Sequence, residues 1–172
     1  ISRHGVQVTP TRGNNSEVNR TDTVRFEVSV VDTSLSANIE EGVPCMMWVT
    51  YNGSDFYEGI ANSTNSSGYC SFDFTPGEDF SAAEQEWVVG ITSNPYFNES
   101  NSTATGRSYV YVMGRVNASF VYPQEGGFVL RNSTNDVHAR LVDEYGEYAN
   151  QSGFNCTFWL NETYLGSADT NS

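Results

Sequence analysis

The sequence predicts an all-β chain of tandem β-sandwich domains, the second of them incomplete, and three observations carry that prediction. A stretch repeats: setting Val31-Asp32 on Val142-Asp143 superposes Gly42 on Gly153, Cys45 on Cys156 and Trp48 on Trp159 at a single shift of 111, without a gap. Arg20 and Thr23 fall on Arg131 and Thr134 at the same shift, and coincidences that include rare Cys and Trp point to duplication. Apolar and polar residues alternate over short segments, the period of a half-buried strand, and no segment keeps the 3.6-residue period of a helix. These segments recur at short intervals with Gly, Pro, Asn and Ser between them, which is the pattern of a sandwich.

Taken in order, residues 6–10 make an extended start and 11–19 a polar turn region. The first strong strand covers 24–30, where Val24, Phe26, Val28 and Val30 alternate with Arg25, Glu27 and Ser29, so one face is buried and the other wet. A polar loop, 33–42, leads to a strand over 45–51 that the Asn52-Gly53 turn signal closes. Residues 59–67 are small and polar and read as a loop. Strands follow at 70–76, with Cys70, Phe72 and Phe74 on one face, and at 86–92, with Trp87, Val89 and Ile91 on one face. After a polar stretch, 94–106, a strand over 109–113 ends the unit. The pattern restarts at 116–122, continues with Val137, Ala139 and Leu141, and then with Cys156, Phe158 and Leu160.

Ile1 to Gly5 resembles the close of this unit at Val110 to Gly114, and Tyr164 to Ala168 matches Tyr57 to Ala61. Residues 1–5 are therefore expected to be the tail of a preceding repeat, 6–114 the first domain, and 115–172 the first half of a second. A unit of roughly 110 residues fits one immunoglobulin-like domain. The sequence has no initiator Met, no signal peptide and no apolar run long enough to cross a membrane, so targeting and anchoring segments are expected outside it.

With 21 acidic residues against 8 arginines and no lysine, the net charge is −13. That balance weighs against nucleic acid as a partner, which needs a cationic surface to neutralise phosphates. Asn-X-Ser/Thr sequons occur at Asn14, Asn19, Asn52, Asn62, Asn65, Asn98, Asn101, Asn117, Asn132, Asn150, Asn155 and Asn161. Twelve are present where 17 Asn among 35 Ser and Thr give roughly three by chance, so the chain reads as an N-glycosylated, extracellular cell-surface protein. The loop sites Asn62, Asn65, Asn98 and Asn101 are expected to carry sugar above all.

Cysteine usage agrees with an outside location. Cys45, Met47 and Val49 share one face of their strand, and Cys70, Phe72 and Phe74 share one face of theirs, so a single facing arrangement satisfies both apolar burial and a Cys45–Cys70 disulfide. Cys156 repeats Cys45, and its partner is expected beyond the chain end.

Catalytic signatures do not appear. His4 and His138 are flanked by ordinary strand residues and read as solvent-facing, and no nucleophile elbow, phosphate-binding Gly loop or haem motif occurs. No cofactor is expected beyond glycans, except that calcium is conceivable where acidic pairs lie in loops. These pairs are Glu40-Glu41, Glu78-Asp79 and, as the named candidates, Asp143-Glu144. None has the spacing of a twelve-residue calcium loop. Trp48 and Trp159 alternate to the face opposite the cysteines, and each has a sequon four residues away, Asn52 and Asn155. Either a glycan covers the indole there, or the Trp is buried inside and the Cys lies on a twisted edge.

The order Val-Asp, polar loop, Cys-X-X-Trp, Gly68-Tyr69 before Phe72-Asp73-Phe74, Trp87-Val88-Val89, and Tyr96 ahead of Asn101-Ser102 resembles the immunoglobulin-like repeats of archaeal surface-layer and other prokaryotic cell-surface proteins. The resemblance implies rigid non-catalytic spacers or lattice elements, whose partners are copies of themselves or neighbouring repeats of one long protein. Antibody-type domains pair cysteines on two other strands, and the close spacing of Cys45 and Cys70 departs from that. The expected function is thus a structural module of a glycosylated extracellular coat. The alternatives are an adhesin or ligand-binding surface array, a filament subunit, or a spacer joined to an enzyme elsewhere in the polypeptide.

Overall fold

A computed structural model describes residues 3–91, 95–122, 127, 136–148, 154–160 and 162–170. The sequons at Asn132, Asn150 and Asn161, and the repeat positions Arg131, Thr134 and Gly153, lie outside the described residues. The chain divides into two compact units, Ile1–Gly114 and Arg115–Ser172.

The first unit is a sandwich of two sheets. Its strands are β1 (Val6–Arg12), β2 (Ser16–Asn19), β3 (Val24–Asp32), β4 (Ala37–Asn38), β5 (Pro44–Val49), β6 (Ile60–Ser63), β7 (Tyr69–Phe74), β8 (Glu84–Ile91), β9 (Ser100–Asn101) and β10 (Ser108–Met113), with a 3-10 helix at Ser102–Thr105. In one sheet β3 is central, with β1 on one side and β7 and the short β4 on the other. The second sheet runs β2-β10-β8-β5-β6, with β9 added beside the end of β8. All pairs are antiparallel except β2 with β10. The chain changes sheets between β1 and β2. The ladder shifts register between Pro10 and Arg12, where proline has no N–H to give, and Gly13 and Asn15 then take positive φ values of 93° and 58°.

Alternation decides what the sheets enclose. Phe26, Val28 and Val30 from β3 and Phe72 and Phe74 from β7 meet Met47 and Val49 from β5, Trp87, Val89 and Ile91 from β8, and Val110 and Val112 from β10. Burying each such side chain contributes roughly 1.5–3 kcal/mol. Trp87 is fully buried, its ring 4.7 Å from that of Phe26 between centroids. Four strands were not legible in the sequence. β2, β4, β6 and β9 are short, polar pieces held by backbone pairing, and none carries an alternating apolar set.

His4 and Gly5 are tied to the first unit. His4 N–H donates to Tyr96 O at 2.9 Å, Asn98 N–H donates to His4 O at 2.9 Å, and Thr33 N–H donates to Gly5 O at 3.0 Å.

The second unit contains β11 (Val116–Tyr122), β12 (His138–Asp143), β13 (Asn155–Leu160) and β14 (Thr163–Asp169). Its ladders copy those of the first. Val116 faces Asp143 as Val6 faces Asp32, and the register shifts between Phe120 and Tyr122 as it does between Pro10 and Arg12. β13 is β5 moved by 111 residues. Cys156 faces Ala168 as Cys45 faces Asn62, so the match of Tyr164 to Ala168 with Tyr57 to Ala61 is out by one residue. Small residues there carry little sequence identity, and the ladder slips between Phe158 and Trp159. Among the described residues the unit has counterparts of β1, β3, β5 and β6 and none of β7, β8 or β10. Its inward residues, Leu141, Cys156 and Phe158 among them, line an open cleft.

Candidate functional site

Cys45 and Cys70 come from different sheets and are 2% and 0% exposed. Both are thiols in this structure and lie in the core between the sheets, with Cys45 Sγ donating to Val43 O at 3.5 Å. The neighbouring Cys45 side chain and burial push the Cys70 thiol well above its ordinary value. The pairing joins β5 to β7, whereas antibody domains join the strands corresponding to β3 and β8. In the latter position this protein places Trp87 instead. Cys156 is half-buried on β13 and faces the cleft.

The described sequon asparagines are exposed, apart from half-buried Asn19, but their amides are differently engaged. An N-linked sugar is carried on Nδ2, so the hydrogen bonds of that atom distinguish amides that are engaged in the folded domain from amides that are not. Asn19, Asn52 and Asn155 donate from Nδ2 to Asp22, Asp55 and Asp169 at 2.9, 2.9 and 3.0 Å. Asn62 donates to Ser71 O at 2.5 Å, bridging the two sheets. Its sequon hydroxyl, on Thr64, is buried, donating to Glu40 O at 2.6 Å and accepting Val43 N–H at 3.0 Å. Asn14, Asn65 and Asn101 instead use the carbonyl oxygen. Asn14 accepts Tyr109 N–H at 2.9 Å. Asn65 accepts the N–H groups of Ser67 and Tyr69 at 2.9 and 3.0 Å. Asn101 caps the 3-10 helix, accepting Thr103 N–H at 3.1 Å and the Thr103 hydroxyl. Asn98 and Asn117 are exposed on the surfaces of the first and second units.

The acidic pair Asp143-Glu144 serves the backbone. Asp143 Oδ1 accepts the N–H groups of Tyr145 and Glu147, both at 3.0 Å, and Glu144 Oε2 accepts Arg115 N–H at 2.8 Å. Asp32, the counterpart of Asp143, caps its own turn in the same way, with Ser34 and Leu35 N–H at 2.8 and 3.1 Å. Glu40, Glu41, Glu78 and Asp79 are exposed on turns. Among the described residues no three His, Cys, Asp or Glu side chains converge as a metal site, and no helix is long and apolar enough to cross a membrane.

His4 is not simply solvent-facing. Its Nδ1 lies 2.6 Å from Asp32 Oδ2, with Asp32 6% exposed, and its ring meets Phe97 edge to face. The hydrogen bond from His4, the largest cause, together with the two turn N–H groups, holds the Asp32 carboxyl below its ordinary value against the opposing effect of burial. This pair lies at the side of an open groove bordered by Leu35, Ile39 and Tyr96. Neither the pairing of residues 4 and 32 nor the groove has a signature in sequence spacing. His138, on β12, is exposed and stacks edge to face on Tyr122.

Trp48 projects from the outer face of β5, half-buried, while Cys45 points inward. Asn101 lines both grooves that flank the indole, and Asn52 lines neither. Trp159, at the equivalent place, is 60% exposed and packs edge to face on Tyr164.

The architecture is thus that of an all-β protein, with an immunoglobulin-like sandwich followed by a second unit built to the same opening plan. No family model matches the sequence, and no curated protein matches it. Among solved structures, the crystal structure of the CARDB domain of the PF1109 protein from Pyrococcus furiosus, in complex with di-metal ions, is similar at a TM-score of 0.40 and 11% identity, over 63% of this chain and 87% of that one. A solution NMR structure of the same domain gives 0.40 and 11%, over 66% and 98%.

Proposed function

We propose that this chain is a non-catalytic structural module of a glycosylated extracellular coat, of the surface-layer type, in which successive repeats of one long protein pack with copies of the same polypeptide. The observation that carries the reading is the repetition of strand register, bulge and turn capping from the first unit to the second. Preserved backbone pairing suits an array whose stability comes from its units and their nearest neighbours. Exposed sequons on both units, and an acidic surface without lysine, supply hydration and mutual repulsion outside the contacts that assemble. Calcium, if used, would screen that charge at the acidic turns.

The test is imaging of the native envelope with an antibody to this segment. A regular lattice or a continuous coat supports the proposal, and isolated scattered molecules overturn it. An adhesive array is the second reading, and the groove beside His4, with Leu35 and Tyr96 67% and 62% exposed, is what favours it.

A further inference from the structure

We propose that the N-linked glycan on Asn101 folds back onto the indole of Trp48, so that the outer face of β5, β8 and β9 is the seat of the protein's own sugar. The inference rests on the reading that the chain is N-glycosylated and adds to it a defined resting place.

Register sets the two residues together. Asn101 faces Gly90, and Gly90 faces Met46, which makes one row across the sheet. Trp48 stands in the next row, opposite Val88. The residue between sugar site and indole is therefore a glycine. A Cβ built on Gly90 would lie 3.2 Å from Trp48 Cζ3 and 3.7 Å from Asn101 Cβ, so any side chain there would stand between them. On the far side a Cβ on Gly59 would lie 2.8 Å from Trp48 Nε1 and 2.5 Å from Met46 Sδ. The indole thus rests against bare backbone at one end and faces an open path to Asn101 at the other.

The groove chemistry suits a pyranose. One face of such a ring is a set of C–H groups that packs on an aromatic surface, and its rim of hydroxyls needs polar partners. Here the apolar floor is Trp48 with Val88, and the rim carries Glu86 and Arg107, paired at 2.9 Å. The attachment geometry also fits. Asn101 holds its carbonyl oxygen with Thr103, and among the described residues its Nδ2 donates to nothing. Asn52, the sequon nearest Trp48 in sequence, has its Nδ2 on Asp55 and its Oδ1 on the N–H groups of Ser54 and Asp55. Stacking of one sugar is weak, but a covalent tether makes it intramolecular and raises the effective concentration at the indole.

The experiment is oxidative footprinting of tryptophan on the native glycoprotein, read peptide by peptide by mass spectrometry, with Asn101→Gln, Thr103→Val and Asn52→Gln variants from the same host. Wild-type Trp48 is expected to oxidise about threefold to tenfold more slowly than in Asn101→Gln or Thr103→Val, both without sugar at this site. Asn52→Gln is expected to leave the protection in place, and Trp159 to react alike throughout. Trp87, fully buried, reports whether each variant is folded, and enzymatic trimming of the wild-type glycan gives the same comparison without substitution. Equal Trp48 rates with sugar present on Asn101 overturn the inference alone, and so does loss of protection only in Asn52→Gln. An unmodified Asn101 peptide overturns it together with glycosylation at this site.

Discussion

Val43 and Thr64 grip each other through two hydrogen bonds: Thr64 N–H donates to Val43 O at 3.0 Å, and Val43 N–H donates to Thr64 Oγ1 at 3.0 Å. Phe154 and Thr170 do the same in the second unit, at 2.9 and 3.1 Å. The clasp fixes where β5 and β6 begin and end against each other. It also places Thr170 on Thr64, one residue from the match that side-chain identity suggests.

Thr64→Val keeps the shape of that clasp and removes its oxygen. The Val43 N–H is then buried without a partner, and Glu40 O loses its hydroxyl donor. Unpaired buried groups of this kind cost about 1–3 kcal/mol. Chemical denaturation of the first unit is expected to show a lower midpoint with an unchanged slope. A loss below about 0.5 kcal/mol would mean the clasp is replaceable by water.

The Cys45 and Cys70 thiols touch across the sandwich, and in an oxidising compartment they are expected to form a disulfide. Non-reducing peptide mapping should recover the two peptides linked, and never Cys45 linked to Cys156. A bridge closing a loop of 26 residues stabilises by roughly 3–4 kcal/mol on the chain-entropy estimate, so reduction should lower the melting temperature accordingly. Free Cys45 and Cys70 in native material would count against an extracellular setting.

Asp32 gives the first unit a defined acid sensitivity. Its carboxyl is held below the ordinary value of 3.8, chiefly by the hydrogen bond from His4. A depressed folded-state value stabilises the domain above the ordinary one, and that contribution is lost as pH falls through the folded one. Asp32→Asn should therefore be less stable than wild type near neutrality, with the gap closing below pH 3.8. Melting curves from neutral to acid pH measure it, and a gap that stays constant refutes the assignment.

Site occupancy should separate the sequons that composition treats alike. Asn62 was expected among the most modified sites, but its Nδ2 bridges to Ser71 and Thr64 is buried. Its occupancy is expected to fall below that of Asn65 and Asn101, whose Nδ2 atoms make no such bridge among the described residues. Quantitative glycopeptide mapping decides it. Full occupancy at Asn62 would show that the sugar is added before the first unit closes.

The all-β class, the sandwich, the strong strands and the repeat were legible because each rests on short-range pattern. The alternation of Val24, Phe26, Val28 and Val30 is a property of one strand, and the recurrence of Cys45 and Trp48 at Cys156 and Trp159 is a property of the chain. Even the facing of Cys45 and Cys70 followed from two such faces needing one interior. The short strands β2, β4, β6 and β9 were not legible, since their only cause is a neighbouring backbone offering free N–H and C=O groups. The tertiary structure alone decided that His4 meets Asp32, that Thr64 is buried, and that Asn101 rather than Asn52 lies beside Trp48. Those relationships join residues 28 to 53 positions apart or turn on which edge a short strand takes. Sequence period fixes which face a side chain occupies, and only the assembled sheets fix what stands opposite it.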